Sequence, residues 1–534
     1  METTYDKDLR SVQEARDLAR RGQAAASKLA TFTESQIDAI VRNMVAVAEQ
    51  NAQTLAQMAV SETGFGNSED KAFKNHLASG VLYDAIRDMK TVGVIREDRE
   101  HKITEVAEPV GLLMGIIPST NPTATVLFKS IIALKARNGI VFSPHPAAAK
   151  CTQKAAELMA EAACDGGAPA GIISCLPTPT IEATNELMKC DEVRMIIATG
   201  GPGMVKAAYS SGKPALGVGA GNTPAYIERS ARVDGAVHNI IASKTFDYGT
   251  ICASEQSVIV EECNREAVMT AFRRQGGYFM TPAETAKVCA LLFKGPGHAM
   301  NAQFVGRSPQ VIAQAAGITV PADTKVLIGE QQGVGPDYPL SYEKLTTVLG
   351  FYTVKDKEEA CDLCIELLQN GIGHTLSLHT SDESIVREFS VKPASRILVN
   401  TGSTQGSTGL TTGLLPSLTL GCGSWGGSSV SENVGPQHLI NVKRIAWGIV
   451  SVDSLQNASE DAPAAAYGAG GCSTAPAPGS DPAAGLERLS AATLDYSYNG
   501  GCNCNNGLDL GQKPITKDDL AELISTMTGM LKGE

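Results

Sequence analysis

The sequence reads as an α/β protein with two α/β domains behind a helical opening, and three observations carry that reading. At 534 residues the chain exceeds one ordinary domain, and 43% hydrophobic with 19% charged residues is the composition of a globular protein that buries cores. Short apolar runs ended by Gly or Pro alternate with helical stretches in two successive regions. After Val452 the composition breaks into the Ala-, Gly-, Pro- and Ser-rich stretch DAPAAAYGAGGCSTAPAPGSDPAAG.

From Tyr5 to about Lys90, apolar residues recur at helical spacing among charges, as in ESQIDAIVRNMVAVAEQNAQTLAQMAV, which predicts several amphipathic helices. From Thr104 the texture changes to GLLMGIIP, TATVLFKSIIALKA, GIVFSP and AAAKCTQKAAELMAEAA, the form of βαβ units around a parallel sheet. GIISCLP, EATNELMKC, VRMIIATGG and PGMVKAAYSS continue it, in the manner of nucleotide-binding architectures. After GVGAGNTPAYI a second alternating region carries SVIVEE, EAVMTAFRRQ, AETAKVCALLF, KVLIGE and SRILVN, and closes on GCGSWGGSS. The stretch past Val452 has a linker composition. In ITKDDLAELISTMTGMLKGE a helical pattern returns, with Leu520, Leu523, Ile524, Met527 and Leu531 on one stripe and Thr516 and Asp519 approximating a capping box.

Composition also excludes function classes. With 45 Lys and Arg against 57 Asp and Glu, the net charge of −12 argues against a nucleic-acid binder and for a small-molecule partner. No run of about 18 apolar residues appears and the start is charged, so neither membrane span nor signal peptide is expected and the location expected is cytoplasmic. Thirteen cysteines without an export signal read as reduced thiols. Cys361 and Cys364 form a lone CxxC in a helix-like run without a second pair, and no metal is expected.

The sharpest local context is that of Cys252, in TFDYGTICASEQSVIVEE, where a turn leads into a strand-like run. Taken alone, such a cysteine reads as a small buried hydrophobe. That segment, together with EPVGLLMGIIPSTNPTATVLFKSIIALKARNGIVFSPHP and LTLGCGSWGGSSVSENVGPQHLINVKRIA, closely resembles the aldehyde dehydrogenase superfamily and within it the CoA-acylating branch, over about residues 5 to 450. The resemblance implies an aldehyde dehydrogenase-like fold with a cofactor-binding domain over 1–226, a catalytic domain over 227–425 and a small oligomerisation and return segment over 426–451. A flexible linker over 452–513 and an amphipathic helix over 514–534 follow. Cys252 falls on the catalytic cysteine.

The same resemblance assigns further residues. Asn121 alone reads as a turn residue before Pro122; by resemblance its amide, with the Cys252 N–H, holds the oxyanion formed when a thiolate attacks an aldehyde. The cofactor implied is NAD. TGGPGMVKAA departs from the dinucleotide fingerprint but resembles the family's cofactor turn, with Thr199, Gly200, Gly201 and Met204 at a probable helix start. Pro118, Thr120 and Gly219 are carried over as further cofactor contacts, and Glu343 matches the position that holds the nicotinamide ribose, a surface carboxylate being its other reading. Ser143, Pro144 and His145 stand where hydrolytic members have a lysine segment beside the adenosine ribose, so His145 is either a neighbour of NAD or CoA or a loop histidine. His374 is either an active-site or a structural histidine.

One missing residue bears on the reaction. Hydrolytic members carry a water-activating glutamate where Val218 stands here, and Val cannot act as a general base. A thioester shielded from activated water survives until a thiol, coenzyme A as co-substrate, takes the acyl group. The expected reaction is NAD-dependent oxidation of a short aldehyde to acyl-CoA, propionaldehyde first and acetaldehyde next. The rival readings are a non-acylating dehydrogenase or an acyl-phosphate reductase on the same fold, and a mainly structural role. The sequence ends without an alcohol dehydrogenase half, so a monofunctional enzyme is expected. Its terminal helix behind a linker resembles the encapsulation peptides of bacterial microcompartment enzymes, implying a shell or cargo protein as partner and a place inside the compartment; the helix docking on its own enzyme core is the other reading. A homo-oligomer is expected, and Cys472, Cys502 and Cys504 in the linker have no assigned role.

Overall fold

A computed structural model describes residues 6–295 and 299–452 of the chain. The linker past residue 452, the terminal helix over 514–534 and the tail cysteines lie outside the described residues. The fold is mixed α/β with two parallel sheets. No helix among the described residues is long and apolar enough to cross a membrane.

The opening is helical. Lys7–Leu29 and Glu34–Thr63 are long amphipathic helices, the second entered by a Thr33–Gln36 capping box and ended by Gly64 at φ 69°. Its Ile37, Ile40, Val41, Met44, Val45 and Ala48 follow helical spacing into the core. Ser68–His76, capped by Asn67, comes next and turns two lysines inward, Lys71 and Lys74.

Five parallel strands form the first sheet, in the order Ile173–Cys175, Gly139–Pro144, Leu112–Ile117, Val193–Thr199 and Ala215–Val218. LLMGII and GIVFSP are buried throughout, as parallel strands covered on both faces require. Between them the helix Pro122–Lys135, with Pro122 at its start, is buried at every residue. The chain builds outward from Leu112–Ile117 to one side, then resumes on the other side with Val193–Thr199. The strand order therefore switches beside the carboxyl ends of these two neighbours, where ligands bind in open parallel sheets.

Seven parallel strands form the second sheet, in the order Gly277–Phe279, Val326–Glu330, Val348–Val354, Glu255–Glu261, Thr223–Ile227, Gly373–His379 and Ala394–Val399. The chain crosses from the first sheet to this one through residues 219–222 alone, so the carboxyl end of Ala215–Val218 lies near the amino end of Thr223–Ile227. Cys252, Glu343 and His374 all stand at amino ends of second-sheet strands. Cys361 and Cys364 lie in the helix Lys357–Leu368 and belong to the apolar cluster of Leu367, Leu376 and Phe389.

A three-stranded antiparallel sheet joins Gly93–Asp98, Ile103–Pro109 and Ile440–Ala446, with Ile440 opposite Pro109 and Ala446 opposite Ile103. The sheet thus takes two of its three strands from within 1–226 and one from the expected return segment over 426–451. Main-chain pairing between such distant segments leaves no local pattern to read.

Candidate active site

A cavity of about 790 Å³ opens where the two sheets face each other. Every site residue expected from the sequence lines it: Pro118, Thr120, Asn121, Ser143, Pro144, His145, Thr199, Gly200, Gly201, Met204, Gly219, Cys252 and Glu343. Val218 lines it as well, and its side chain shares an apolar cluster with Ile251, Ala253, Leu420 and Cys422 against which Cys252 packs.

Cys252 is presented by an unusual backbone. Asp247 and Tyr248 hold left-handed φ values of 47° and 51°, followed by Gly249 at 75°. Such residues persist only where their surroundings over-determine them. Here the fully buried Asp247 carboxylate accepts from both Lys71 and Lys74, its backbone N–H donates to Asp70 Oδ2 at 2.7 Å, and Asn67 N–H donates to Asp247 Oδ1 at 2.9 Å. The turn they secure leads directly to Thr250 and Cys252.

The Cys252 thiol lies 3.2 Å from His374 Nε2. Burial pushes this thiol up to about 12, Glu343 and Cys422 adding to the rise and Arg396 opposing it. Burial, with Arg396 adding to it, holds His374 well below its ordinary value, which favours the neutral imidazole, and Nε2 can accept a hydrogen bond from the thiol. The other nitrogen, Nδ1, sits 2.8 Å from Thr375 Oγ1, which also accepts from Arg396 Nε at 3.3 Å. An N–H on Nδ1 satisfies that arrangement and leaves Nε2 free for the sulfur. The Arg396 guanidinium, 4% exposed, is tied to the carbonyls of His374 and Gly421 at 3.1 and 2.8 Å.

Asn121 starts the helix Pro122–Lys135 and points its amide toward the cysteine turn, Nδ2 donating to the Thr250 carbonyl at 3.2 Å. Its Oδ1 accepts from Lys74 at 2.6 Å. Glu343 Oε1 accepts from the Gly221 N–H at 3.1 Å, and burial raises its carboxyl to about 7, against the Gly221 bond and Lys244 and Lys344.

The first-sheet wall fits a phosphate-bearing cofactor. Gly201 caps the helix Pro202–Tyr209, whose N-terminal N–H groups face the cavity rim, and a Cβ built at Gly201 or Gly219 would meet no atom within 4 Å. Thr199 Oγ1, which lines the cavity, is buried without a hydrogen-bond partner and so is open to a ligand. Farther along, Ser143 bonds Thr184 and the exposed His145 accepts from the Ala147 N–H.

Several residues of this site were silent in the sequence. Lys71 and Lys74 resemble surface charges of an amphipathic helix, Asp247 a turn residue, and Arg396 an edge-strand cation. The i, i+3 spacing of the two lysines was the one signal available, since it places both on one helix face.

Comparison with known proteins agrees with this geometry. Residues 2–276 match the aldehyde dehydrogenase family. The acetylating succinate-semialdehyde dehydrogenase of Clostridium kluyveri is 39% identical over 435 residues, 81% of this chain and 95% of that protein. This chain belongs to the aldehyde dehydrogenase family. The bifunctional aldehyde-alcohol dehydrogenase of Escherichia coli is 47% identical over 443 residues, covering 82% of this chain and 50% of that one, so the chain spans about half the length of the first curated relatives it matches. Among solved structures, an acetylating aldehyde dehydrogenase from Geobacillus thermoglucosidasius superposes with TM-score 0.83 at 52% identity over 84% of this chain and 99% of its own. A propionaldehyde dehydrogenase from a Clostridium phytofermentans fucose-utilisation microcompartment superposes with TM-score 0.73 at 25% identity over 80% and 96%.

Proposed function

We propose that this family member oxidises a short, uncharged aldehyde and transfers the acyl group to coenzyme A. His374 Nε2 takes the Cys252 thiol proton as the sulfur bonds to the aldehyde carbon, so that no free thiolate has to build up. The Asn121 amide and the Cys252 N–H receive the developing oxyanion. Thr199 to Met204, Gly219 and Glu343 would hold NAD, which would supply the hydride acceptor. Collapse to a thioester leaves the acyl group on Cys252, and the coenzyme A thiolate then displaces that sulfur.

The observation that carries this reading is Val218 packed in the Cys252 cluster, where a hydrolytic enzyme needs a carboxylate. Among the described lining residues the one carboxylate is Glu343, and the Gly221 N–H already engages it. That carboxylate supports the rival hydrolytic reading, in which free acid forms without coenzyme A. The assay is aldehyde plus NAD with and without coenzyme A. We expect NADH and acyl-CoA only with coenzyme A, beyond one acylation per site; sustained free acid without it refutes the proposal.

Substrate charge follows from the same lining. No Lys or Arg is present among its described residues, whereas succinate semialdehyde carries a carboxylate that would need one. Acetaldehyde is favoured by the acetylating structure at 52% identity and propionaldehyde by the sequence reading and the neighbour at 25%, so the assay runs both. The exposed Trp447, Ile449 and Val450, next to the edge strand Ile440–Ala446, support a homo-oligomer, and the stripe from Leu520 to Leu531 supports docking to microcompartment shell or cargo.

A further inference from the structure

We infer that Lys74 is a positioning residue for the oxyanion site, its ammonium fixing which end of the Asn121 amide faces the reacting carbon. The inference rests on Asn121 being the oxyanion donor. An asparagine amide has two ends of nearly equal size, so packing alone does not choose between presenting N–H₂ and presenting C=O. A lysine has donors and no acceptor, and Lys74 Nζ at 2.6 Å can pair only with Oδ1. Nδ2 is thereby turned to the cysteine side, where its bonds to the Thr250 carbonyl and Thr120 Oγ1 are long, 3.2 and 3.3 Å. Those loosely held N–H groups can turn to an oxyanion at small cost.

The contacts of Lys74 show that it is more than a support for the turn. Lys71 and Lys74 are 2% and 1% exposed and share one buried carboxylate, Asp247. Lys71 alone would neutralise it, and Lys71 bonds the Thr120 carbonyl at 2.8 Å rather than the Asn121 side chain. The Asp70 carboxylate accepts from the Asp247 N–H and Asn67 Nδ2, at 2.7 and 2.6 Å, and balances the second ammonium from a distance without bonding it. Lys74 spends its remaining donors on Thr250 Oγ1 and Asn121. A second buried cation directly behind an amide polarises its N–H groups toward negative charge on the other side.

The test is a double-mutant cycle in the full chain with Lys74→Met and Asn121→Ala, reading kcat and KM for acetaldehyde and for coenzyme A, with thermal melts as the fold control. Lys74→Met should lower kcat at least about tenfold, as for loss of an oxyanion donor, with each KM within about threefold. In the Asn121→Ala background it should cost less than about threefold, because its effect runs through that amide. Lys74→Gln, an uncharged donor, should recover part of the loss, and it carries the cycle if the Met variant does not fold. Equal losses in both backgrounds, or an unchanged kcat, overturn the role of Lys74. An unchanged kcat in Asn121→Ala alone overturns instead the oxyanion reading beneath it.

Discussion

Val218 and Glu343 bracket the chemistry of Cys252 in opposite ways. Val218 packs with Ile251, Ala253 and Leu420, so a carboxylate put there would be poorly hydrated and raised toward the range of a working base. Val218→Glu should therefore raise the ratio of free acid to acyl-CoA at least about tenfold, the lower reach of general-base catalysis in a site not built for it. Chromatographic product analysis reads this, and an unchanged ratio would show that pocket shape, not the missing base, excludes hydrolysis. Glu343 acts through charge. After burial it is the largest influence raising the Cys252 thiol, so above about pH 7, where Glu343 is ionised, removing its charge must lower that pKa and enlarge the thiolate fraction. In Glu343→Gln, iodoacetamide labelling of Cys252 at pH 8, followed by peptide mass spectrometry, should accelerate about threefold or more, equivalent to half a pKa unit. A slower or equal rate would place Glu343 too far from the sulfur to matter.

The connection over residues 219–222 shows how one short segment serves fold and site together. Gly221 is packed so closely that a Cβ there would lie 1.9 Å from the Cys252 carbonyl oxygen, while one at Gly219 would enter open cavity. Gly221→Ala should destabilise by at least about 2 kcal/mol, because backbone must move to admit the methyl. Gly219→Ala should leave the thermal midpoint unchanged and raise KM for NAD or coenzyme A. Melting curves and steady-state kinetics separate the two, and equal melts refute the packing argument. The same contrast explains what was legible. LLMGII and GIVFSP announce buried parallel strands by unbroken apolar runs, and Cys252 and Asn121 stand in long motifs. The antiparallel sheet was not legible, since its strands carry Arg96, Glu97, Lys443 and Arg444 on exposed positions and its third strand pairs across most of the chain. Nor were Lys71 and Lys74, because burial of a lysine depends on a carboxylate and an amide supplied by remote segments.

The proposed catalytic and assembly roles draw on separate parts of the chain. Among the described residues the cavity lining runs from Phe65 to Leu420, and Gly421 and Cys422 support it from just beyond. The edge strand Ile440–Ala446 and the exposed Trp447 lie later, and the amphipathic stripe of the last residues later still. Each part can be removed or blocked with a different readout. Deleting residues 514–534 should leave kcat/KM for aldehyde and coenzyme A within about twofold and leave the oligomer seen by size-exclusion chromatography intact, because both determinants precede the cut. The apolar stripe expected from the sequence is proposed to bury against a surface, since most helical stability in proteins comes from packing an amphipathic face. If that surface is a microcompartment shell or cargo protein, the truncated enzyme should no longer co-sediment with purified compartments, and the segment fused to an unrelated carrier should be sufficient for sedimentation. If it is the enzyme's own core, truncation should lower the thermal midpoint and the fusion should stay in the supernatant. A truncated enzyme that still sediments refutes the docking proposal while leaving the chemistry at Cys252 untouched.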